Sequence, residues 1–145
     1  MERPRIHFFV DENQPARLVC DMLRARGHHA EPVQVGTQDP AILRSADLAG
    51  AVIVTADDWF LDRLYRFPTG HQNSYSLAGV VVVRGEWEIN RVNIPLWLPL
   101  IEVAYVARRS QDDQRLGIEI REHSVYVKGP MRESRAPKPL RTRQS

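Results

Sequence analysis

Three short segments of mainly β-branched, aromatic and other apolar residues stand out along the chain, at 6–10, 51–55 and 79–83. Segments of this length without a charged residue are typical of strands that are buried on both faces of a sheet. A weaker segment at 30–35 contains Pro32, which lacks a backbone donor and therefore favours an edge strand. The pattern predicts four strands before the C-terminal third of the chain.

Apolar residues at helical spacing fill the intervals between and after these strands. The predicted helices run from an N-cap at Asn13 to Gly27, from an N-cap at Asp39 to Gly50, over 59–66 and over 92–109. Residues 116–120 and 124–127 alternate across a turn and predict a β-hairpin. Because right-handed crossovers fold such an alternating order into a parallel sheet, we expect the α/β class. The expected architecture has helices on both faces of a mainly parallel sheet and a C-terminal β-hairpin.

The charge of the chain is small but unevenly distributed. Its 145 residues include 20 Lys or Arg and 18 Asp or Glu, a net charge of +2, which does not suit a uniformly basic nucleic-acid binder. Six cations and a single acid lie in 128–145, a segment nearly free of apolar residues. We therefore expect one domain over 1–128 and a disordered basic tail over 129–145. The tail cations expected to contact a phosphate backbone are Arg132, Arg135, Lys138, Arg141 and Arg143.

The single cysteine and the lack of a long apolar segment indicate where in the cell the protein is expected. Cys20 excludes an internal disulfide and falls on the apolar stripe of the first predicted helix, where a core position is expected. The most apolar stretch, 94–107, is interrupted by two prolines and Glu102 and is shorter than a membrane span. With no secretory signal after residues 1–5, we expect a soluble cytoplasmic protein that contacts no membrane.

Acidic residues follow two of the buried strands at the point where each strand ends. Asp11 and Glu12 follow the first strand, and Asp57 and Asp58 follow the strand at 51–55. Ligands of open parallel sheets bind beyond the carboxyl ends of the strands, and Asp39 is expected to enter the same cleft. Crowded carboxylates repel one another unless a cation neutralises them, and oxygen ligands select hard cations. The sequence therefore predicts a site for Mg²⁺ or Mn²⁺.

Each acid also has a plainer interpretation. Asp39 and Asp58 suit the start of a helix, and Glu12 suits a solvated position. Asp11 and Asp57 are harder to explain in this way, because each comes directly after a buried strand.

The histidines do not suggest a second kind of metal site. His28, His29 and His71 lie in predicted connections without a partner at ligand spacing, so no zinc site is expected.

Four short motifs occur in a fixed order along the chain. They read FVDENxP at 9–15, DPxI at 39–42, VTADxxF at 54–60 and GVVVVR at 79–84. In this combination, over residues 5–127, the chain resembles small PIN-like proteins, which are often encoded beside a short antitoxin-like partner. The resemblance implies a PIN-like three-layer α/β/α fold and hydrolysis of RNA phosphodiesters by Mg²⁺ or Mn²⁺, as in toxins of the VapC type. It implies Asp11, Asp39 and Asp57 as catalytic metal ligands. Beside them we expect Asp58 as a further ligand and Glu12, Asn13, Thr55 and Asp62 as supporting residues.

One position departs from the motif of these proteins. The third motif commonly carries a second aspartate where this chain has Trp59. Asp58 is adjacent but points in a different direction, and Asp62 lies one turn later. The departure implies either a weaker metal site or a protein that has lost catalysis.

Two other functions compete with the ribonuclease. A receiver domain of two-component signalling also has acids after its first and third strands, but it needs a lysine after a late strand, and the only lysines here are Lys128 and Lys138. The other is a non-catalytic PIN-like module that binds a protein. Apolar residues cover nearly all faces of the predicted helix at 92–109, which suits an antitoxin or homodimer interface as well as a central core position.

Overall fold

The computed structural model describes residues 3–11 and 15–129. Within them the strands are β1 (His7–Val10), β2 (His29–Pro32), β3 (Val52–Thr55), β4 (Gly79–Val83), β5 (Leu116–Ile120) and β6 (Val125–Lys128). The helices are α1 (Ala16–Ala25), α2 (Asp39–Ala49), α3 (Asp58–Leu64) and α4 (Trp87–Arg109). The predicted α/β class is confirmed.

The six strands form one mixed sheet in the order β2-β1-β3-β4-β5-β6. The first five are parallel, and β6 pairs antiparallel with β5. The strand with Pro32 lies at the edge, as predicted. The order of the parallel strands is that of flavodoxin-like doubly wound sheets, in which the direction of winding reverses between β1 and β3. The carboxyl ends of β1 and β3 therefore flank the switch point of the sheet.

Alternate side chains of the central strands enter two separate hydrophobic clusters. The first contains Phe8, Val54 and Val81 and is covered by α1 and α4. The second contains Ile53 and Val80 and is covered by α2 and α3. Cys20 belongs to the first cluster, which confirms its predicted place in the core. Helices thus cover both faces of the sheet. The ends of the strands remain accessible to a ligand.

The starts of α1, α2 and α3 differ from the prediction by one or two residues. Gln38, not Asp39, is the N-cap of α2, and Asp39 is its first helical residue. Asp57 caps α3, so Asp58 already lies within that helix. Asn13, the predicted cap of α1, lies outside the described residues. Helix α1 begins at Ala16, directly after Pro15. Asp57 and Asp58 both favour a cap, so propensity alone cannot choose between them, whereas Gln38 is the cap of α2 without a side-chain hydrogen bond to the helix start.

Helix α4 is longer than predicted, because it begins at Trp87 rather than at 92. Pro95 and Pro99 lie inside it without ending it. Both prolines are exposed, and water can therefore bond the carbonyl groups whose helical donors they remove. None of the helices in 3–11 and 15–129 combines the length and apolarity needed to span a membrane.

Several predicted residues lie outside the part of the chain described here. They are Glu12, Asn13 and the tail cations Arg132, Arg135, Lys138, Arg141 and Arg143. Their predicted roles, and the predicted disorder of the tail, remain predictions.

Candidate functional site

The carboxyl ends of β1 and β3 are joined through Asp11. Its backbone N–H donates to the carbonyl of Val54 at 2.9 Å, which extends the pairing of the two strands by one residue. Its carboxylate is buried, with 7% of the residue exposed, and Oδ2 accepts a hydrogen bond of 2.8 Å from the hydroxyl of Thr55. The carboxylate is therefore held at the switch point by the neighbouring strand.

Thr55 also fixes Asp57. The Thr55 hydroxyl accepts a hydrogen bond of 3.1 Å from the backbone N–H of Asp57 while it donates to Asp11. Asp57 in turn caps α3, because its Oδ1 accepts from the N–H of Trp59 at 2.9 Å. One fully buried hydroxyl thus connects the two aspartates that the sequence singled out. A valine of the same shape could make neither bond.

Asp39 lies at the start of α2, beside α3. It lines a shallow cavity of about 380 Å³ together with Thr37, Trp59 and Arg63. The guanidinium group of Arg63 lies over the Trp59 ring, 5.2 Å from its centre. Trp59 is partly buried against the second hydrophobic cluster. It therefore serves as a packing residue between this cavity and the core.

Asp58 and Asp62 line a different cavity, of about 520 Å³, between α3 and the β5–β6 pair. Asp58 accepts a hydrogen bond from Arg84 and forms an ion pair with it. The side chains of Asp57 and Asp58 thus diverge: one caps the helix and the other bonds the arginine that follows β4. Asp58 is therefore already occupied by a cationic partner.

The predicted acidic residues are not gathered into one compact group. Among the described residues, Asp11, Asp39 and Asp57 do not form a set of three whose ligand atoms all lie within 4.8 Å of one another. Asp11 and Asp57 are connected through Thr55, whereas Asp39 lies with Trp59. The part of the site closest to the prediction is therefore the pair Asp11 and Asp57.

Within the described ranges, His7, His29 and Glu31 do form such a group, because their possible ligand atoms all lie within 4.8 Å of one another. The expectation that the histidines have no partner at ligand spacing is wrong for His29, which lies in β2 directly beside His7 of β1. Strand β2 begins one residue before the predicted 30–35, and this extra residue is the histidine. The signal was the His-x-Glu spacing at 29–31, which places both side chains on one face of a strand.

His28 has a different and purely internal role. It is buried, and its Nδ1 accepts from the N–H of Ile6 at 3.0 Å, so its proton resides on Nε2 and donates to Glu102 at 2.6 Å. Arg26 binds the same carboxylate through two hydrogen bonds of 2.7 and 2.8 Å. The hydrogen bonds from Arg26, with the smaller contribution of His28, lower the pKa of Glu102 against the opposing effect of burial. This cluster ties α4 to the chain between α1 and β2.

Sequence reasoning also missed a charged cluster around Glu119. This nearly buried residue of β5 accepts hydrogen bonds from Arg84 at 2.8 Å and Arg121 at 3.0 Å, and Lys128 lies 3.3 Å from its other oxygen. Burial acts to raise its pKa, but the hydrogen bonds from Arg121, Arg84 and Lys128 outweigh burial and lower the pKa to about 2. Arg84 bonds both Glu119 and Asp58 and so connects this cluster to α3.

The chain matches none of the protein-family models, curated proteins or solved structures with which it was compared. Its class is therefore defined by its own geometry: a mainly parallel α/β sheet with two connected aspartates at the switch point.

Proposed function

We propose that the protein is a metal-dependent ribonuclease of the PIN-like kind, the toxin component of a toxin-antitoxin pair. Asp11 and Asp57 bind Mg²⁺ or Mn²⁺, with Asp39 in support, and RNA is the substrate. The observation that carries the proposal is the Thr55 hydroxyl, which holds Asp11 and the backbone of Asp57 together at the switch point. Ligand sites of doubly wound sheets are found at this position.

The donor chemistry fits a hard cation. Both aspartates offer carboxylate oxygens, which Mg²⁺ and Mn²⁺ prefer over nitrogen or sulfur ligands. Asp11 is almost fully withdrawn from solvent, where an additional positive charge stabilises a carboxylate more strongly than it does in water. When bound, the cation would activate water and offset the charge that develops on the phosphoryl oxygens.

The chain itself contributes orientation. Thr55 fixes the carboxylate of Asp11, and the cap of α3 fixes that of Asp57, so neither side chain has to be ordered when a ligand arrives. Arg63, over Trp59 and beside Asp39, supplies a cation on the same side as the α2 start, where an RNA phosphate would be attracted.

The proposal is tested with single-stranded RNA and the full chain in the presence of Mg²⁺ or Mn²⁺. We expect cleavage that EDTA abolishes and that Asp11→Asn and Asp57→Asn reduce to the level of the EDTA-treated protein. Asparagine can still accept from Thr55 or cap α3, so both variants should fold. Asp112→Asn, at an exposed position, is the matched control and should cleave like the wild type. Cleavage that persists in EDTA and in Asp11→Asn would rule out this mechanism.

A second candidate function is a protein-binding module, which an exposed stripe on α4 favours. Val92, Leu96, Val103 and Val106 are between 40% and 66% exposed, and their spacing places them on one face of the helix. Exposed apolar stripes of this kind mark contacts with another chain. Such a contact would serve an antitoxin or a second copy.

The stripe predicts self-association that a single charge disrupts. We expect the wild type to elute in gel filtration at twice the chain mass of 16.7 kDa, and Leu96→Glu to elute at the mass of one chain. The reason is that the glutamate side chain in place of Leu96 would be buried in the dimer interface, at the centre of the stripe, without a partner for its carboxylate. Glu88→Gln, on the same helix but at another exposed position, is the control. A wild type that elutes as one chain would leave a different protein as the only partner of the stripe.

A receiver-like function is less well supported. The strand order suits it, but Arg121 follows β5 where a receiver has the lysine that contacts the phosphoryl group. Lys128 lies at the end of the antiparallel β6 and is occupied by Glu119.

A further inference from the structure

A cluster of metal-ligating side chains lies on the edge of the sheet, away from the switch-point aspartates. His7 of β1 and His29 of β2 are direct neighbours in the register of the parallel pair. Glu31 is two residues beyond His29, so all three side chains emerge on the same face of the two strands. The imidazole and carboxylate atoms that could bind a metal lie within 4.8 Å of one another.

The three side chains are already in mutual contact. His7 Nε2 and Glu31 Oε2 are 2.6 Å apart and share a hydrogen bond, and the His7 and His29 rings lie 4.4 Å apart, centre to centre. The His7 ring also packs against the Phe9 ring in a T-shaped arrangement, with 4.8 Å between the ring centres, which restricts its rotation. All three ligands would come from a parallel pair of strands, and such elements hold ligands more precisely than loops.

We propose that His7, His29 and Glu31 form a binding site for a divalent transition-metal ion, with Zn²⁺ as the preferred ion. Two imidazoles and one carboxylate are a ligand set of open zinc sites, in which a fourth position is left for water. Zinc bonds of about 2 Å place a nitrogen and an oxygen ligand roughly 3.3 Å apart, slightly more than the present His7–Glu31 hydrogen bond. Small side-chain rotations thus suffice, and the ion takes the place of the shared proton.

The ligand set also distinguishes this site from the proposed Mg²⁺ or Mn²⁺ site. Imidazole nitrogen suits zinc and related transition metals, whereas Mg²⁺ prefers oxygen. The proposal therefore does not depend on the ribonuclease function, and each can fail without the other.

The ion would fasten the edge strand to the rest of the sheet. Strand β2 has only four residues, and within the described residues its one partner in the sheet is β1. Glu31 also lines a neighbouring cavity of about 190 Å³ with Phe9, Val33 and Thr37, through which water or a small anion would reach the bound ion. The bound ion thus stabilises the pairing of the edge strand β2 with β1.

The test is a titration of the full chain, free of a histidine tag, with Zn²⁺ alone. Calorimetry should show one Zn²⁺ per chain, and the unfolding temperature should rise with free Zn²⁺ as expected for a ligand of the folded state. His29→Gln and Glu31→Gln should each weaken binding at least tenfold, and both positions are exposed enough to leave the fold intact. His123→Gln, whose side chain is 90% exposed, is the matched control.

Two further experiments distinguish Zn²⁺ binding at this site from Zn²⁺ binding elsewhere on the chain. Asp11→Asn should bind Zn²⁺ as the wild type does, and excess Mg²⁺ should not displace it. Co²⁺ in place of Zn²⁺ should give the visible absorption of a four-coordinate complex in the wild type and lose it in His29→Gln. The proposal is overturned if Zn²⁺ fails to bind, or if His29→Gln and Glu31→Gln bind it as tightly as His123→Gln does.

Discussion

Arg115→Met should be among the most destabilising single substitutions in the chain, lowering the free energy of unfolding by about 3–5 kcal/mol. The Arg115 side chain is fully buried, yet it carries a permanent charge. Its Nε and Nη2 bind the two oxygens of Asp113 at 2.9 and 2.8 Å. Methionine fills much of the same space but removes both of these hydrogen bonds from this poorly hydrated carboxylate, whose other ion pair, with Arg108, is longer at 3.8 Å.

The remaining donors of Arg115 determine the path of the long connection after α3. Nη1 donates to the carbonyls of Leu64 at 2.7 Å and Phe67 at 2.9 Å, and Nη2 donates to Thr69 at 3.3 Å. All five N–H groups of the guanidinium are therefore used. The Leu64 carbonyl ends a helix and has no helical donor, so the side chain also acts as a C-terminal cap.

Urea unfolding measures the loss of stability in Arg115→Met. The control is Arg44→Met, which changes an exposed arginine of α2. Arg115→Lys should lie between wild type and Arg115→Met, because lysine keeps the charge but has only three donors. Adding Asp113→Asn to Arg115→Met should recover part of the loss, since the charge of the carboxylate that lost its hydrogen bonds to the guanidinium group is then removed. Equal urea midpoints for Arg115→Met and Arg44→Met would contradict this account.

The sheet could be predicted because its strands are short apolar segments with acidic or turn residues after them. The segment at 79–83 coincides with β4, and those at 6–10 and 51–55 each exceed their strand by one residue at the start. Burial on both faces of a parallel sheet makes such strands mainly apolar, with His7 and Thr55 as polar residues at the strand ends, and this is a local signal. The strand order is not local, so it could not be obtained from the same pattern.

The candidate site was predictable only in part, for a related reason. Asp11 and Asp57 were found because acids after buried strands contradict the hydrophobic pattern, but the bridging bonds of Thr55 depend on the register of β1 and β3. Asp113 and Arg121 lie two residues from Arg115 and Glu119, but the other partners, such as Leu64 and Arg84, are distant in sequence, and no spacing rule reveals them. The contact of His7 with His29 likewise requires the β1–β2 register.

The Glu119 cluster predicts how the stability of the protein depends on pH. The pKa of Glu119 is about 2 in the folded chain, below the 4.5 of an unperturbed glutamate. A carboxyl group with a depressed folded pKa stabilises the fold fully above the unfolded pKa, and this contribution is lost as the pH falls towards the folded value. The contribution of Glu119 should therefore disappear between about pH 4.5 and pH 2.

Glu119→Gln removes this contribution at every pH. We expect it to lower the free energy of unfolding by about 2–3 kcal/mol at pH 7, less than the full pKa shift implies, because Arg84, Arg121 and Lys128 are partly exposed and screened by water. Urea unfolding of wild type and Glu119→Gln between pH 7 and pH 2.5 should show the difference narrowing below pH 4.5. Glu122→Gln, a neighbouring exposed glutamate, should follow the wild type throughout. The difference in the free energy of unfolding between wild type and Glu119→Gln could instead stay constant down to pH 2.5. That result would mean that packing, rather than the charge of Glu119, holds β5 to Arg84.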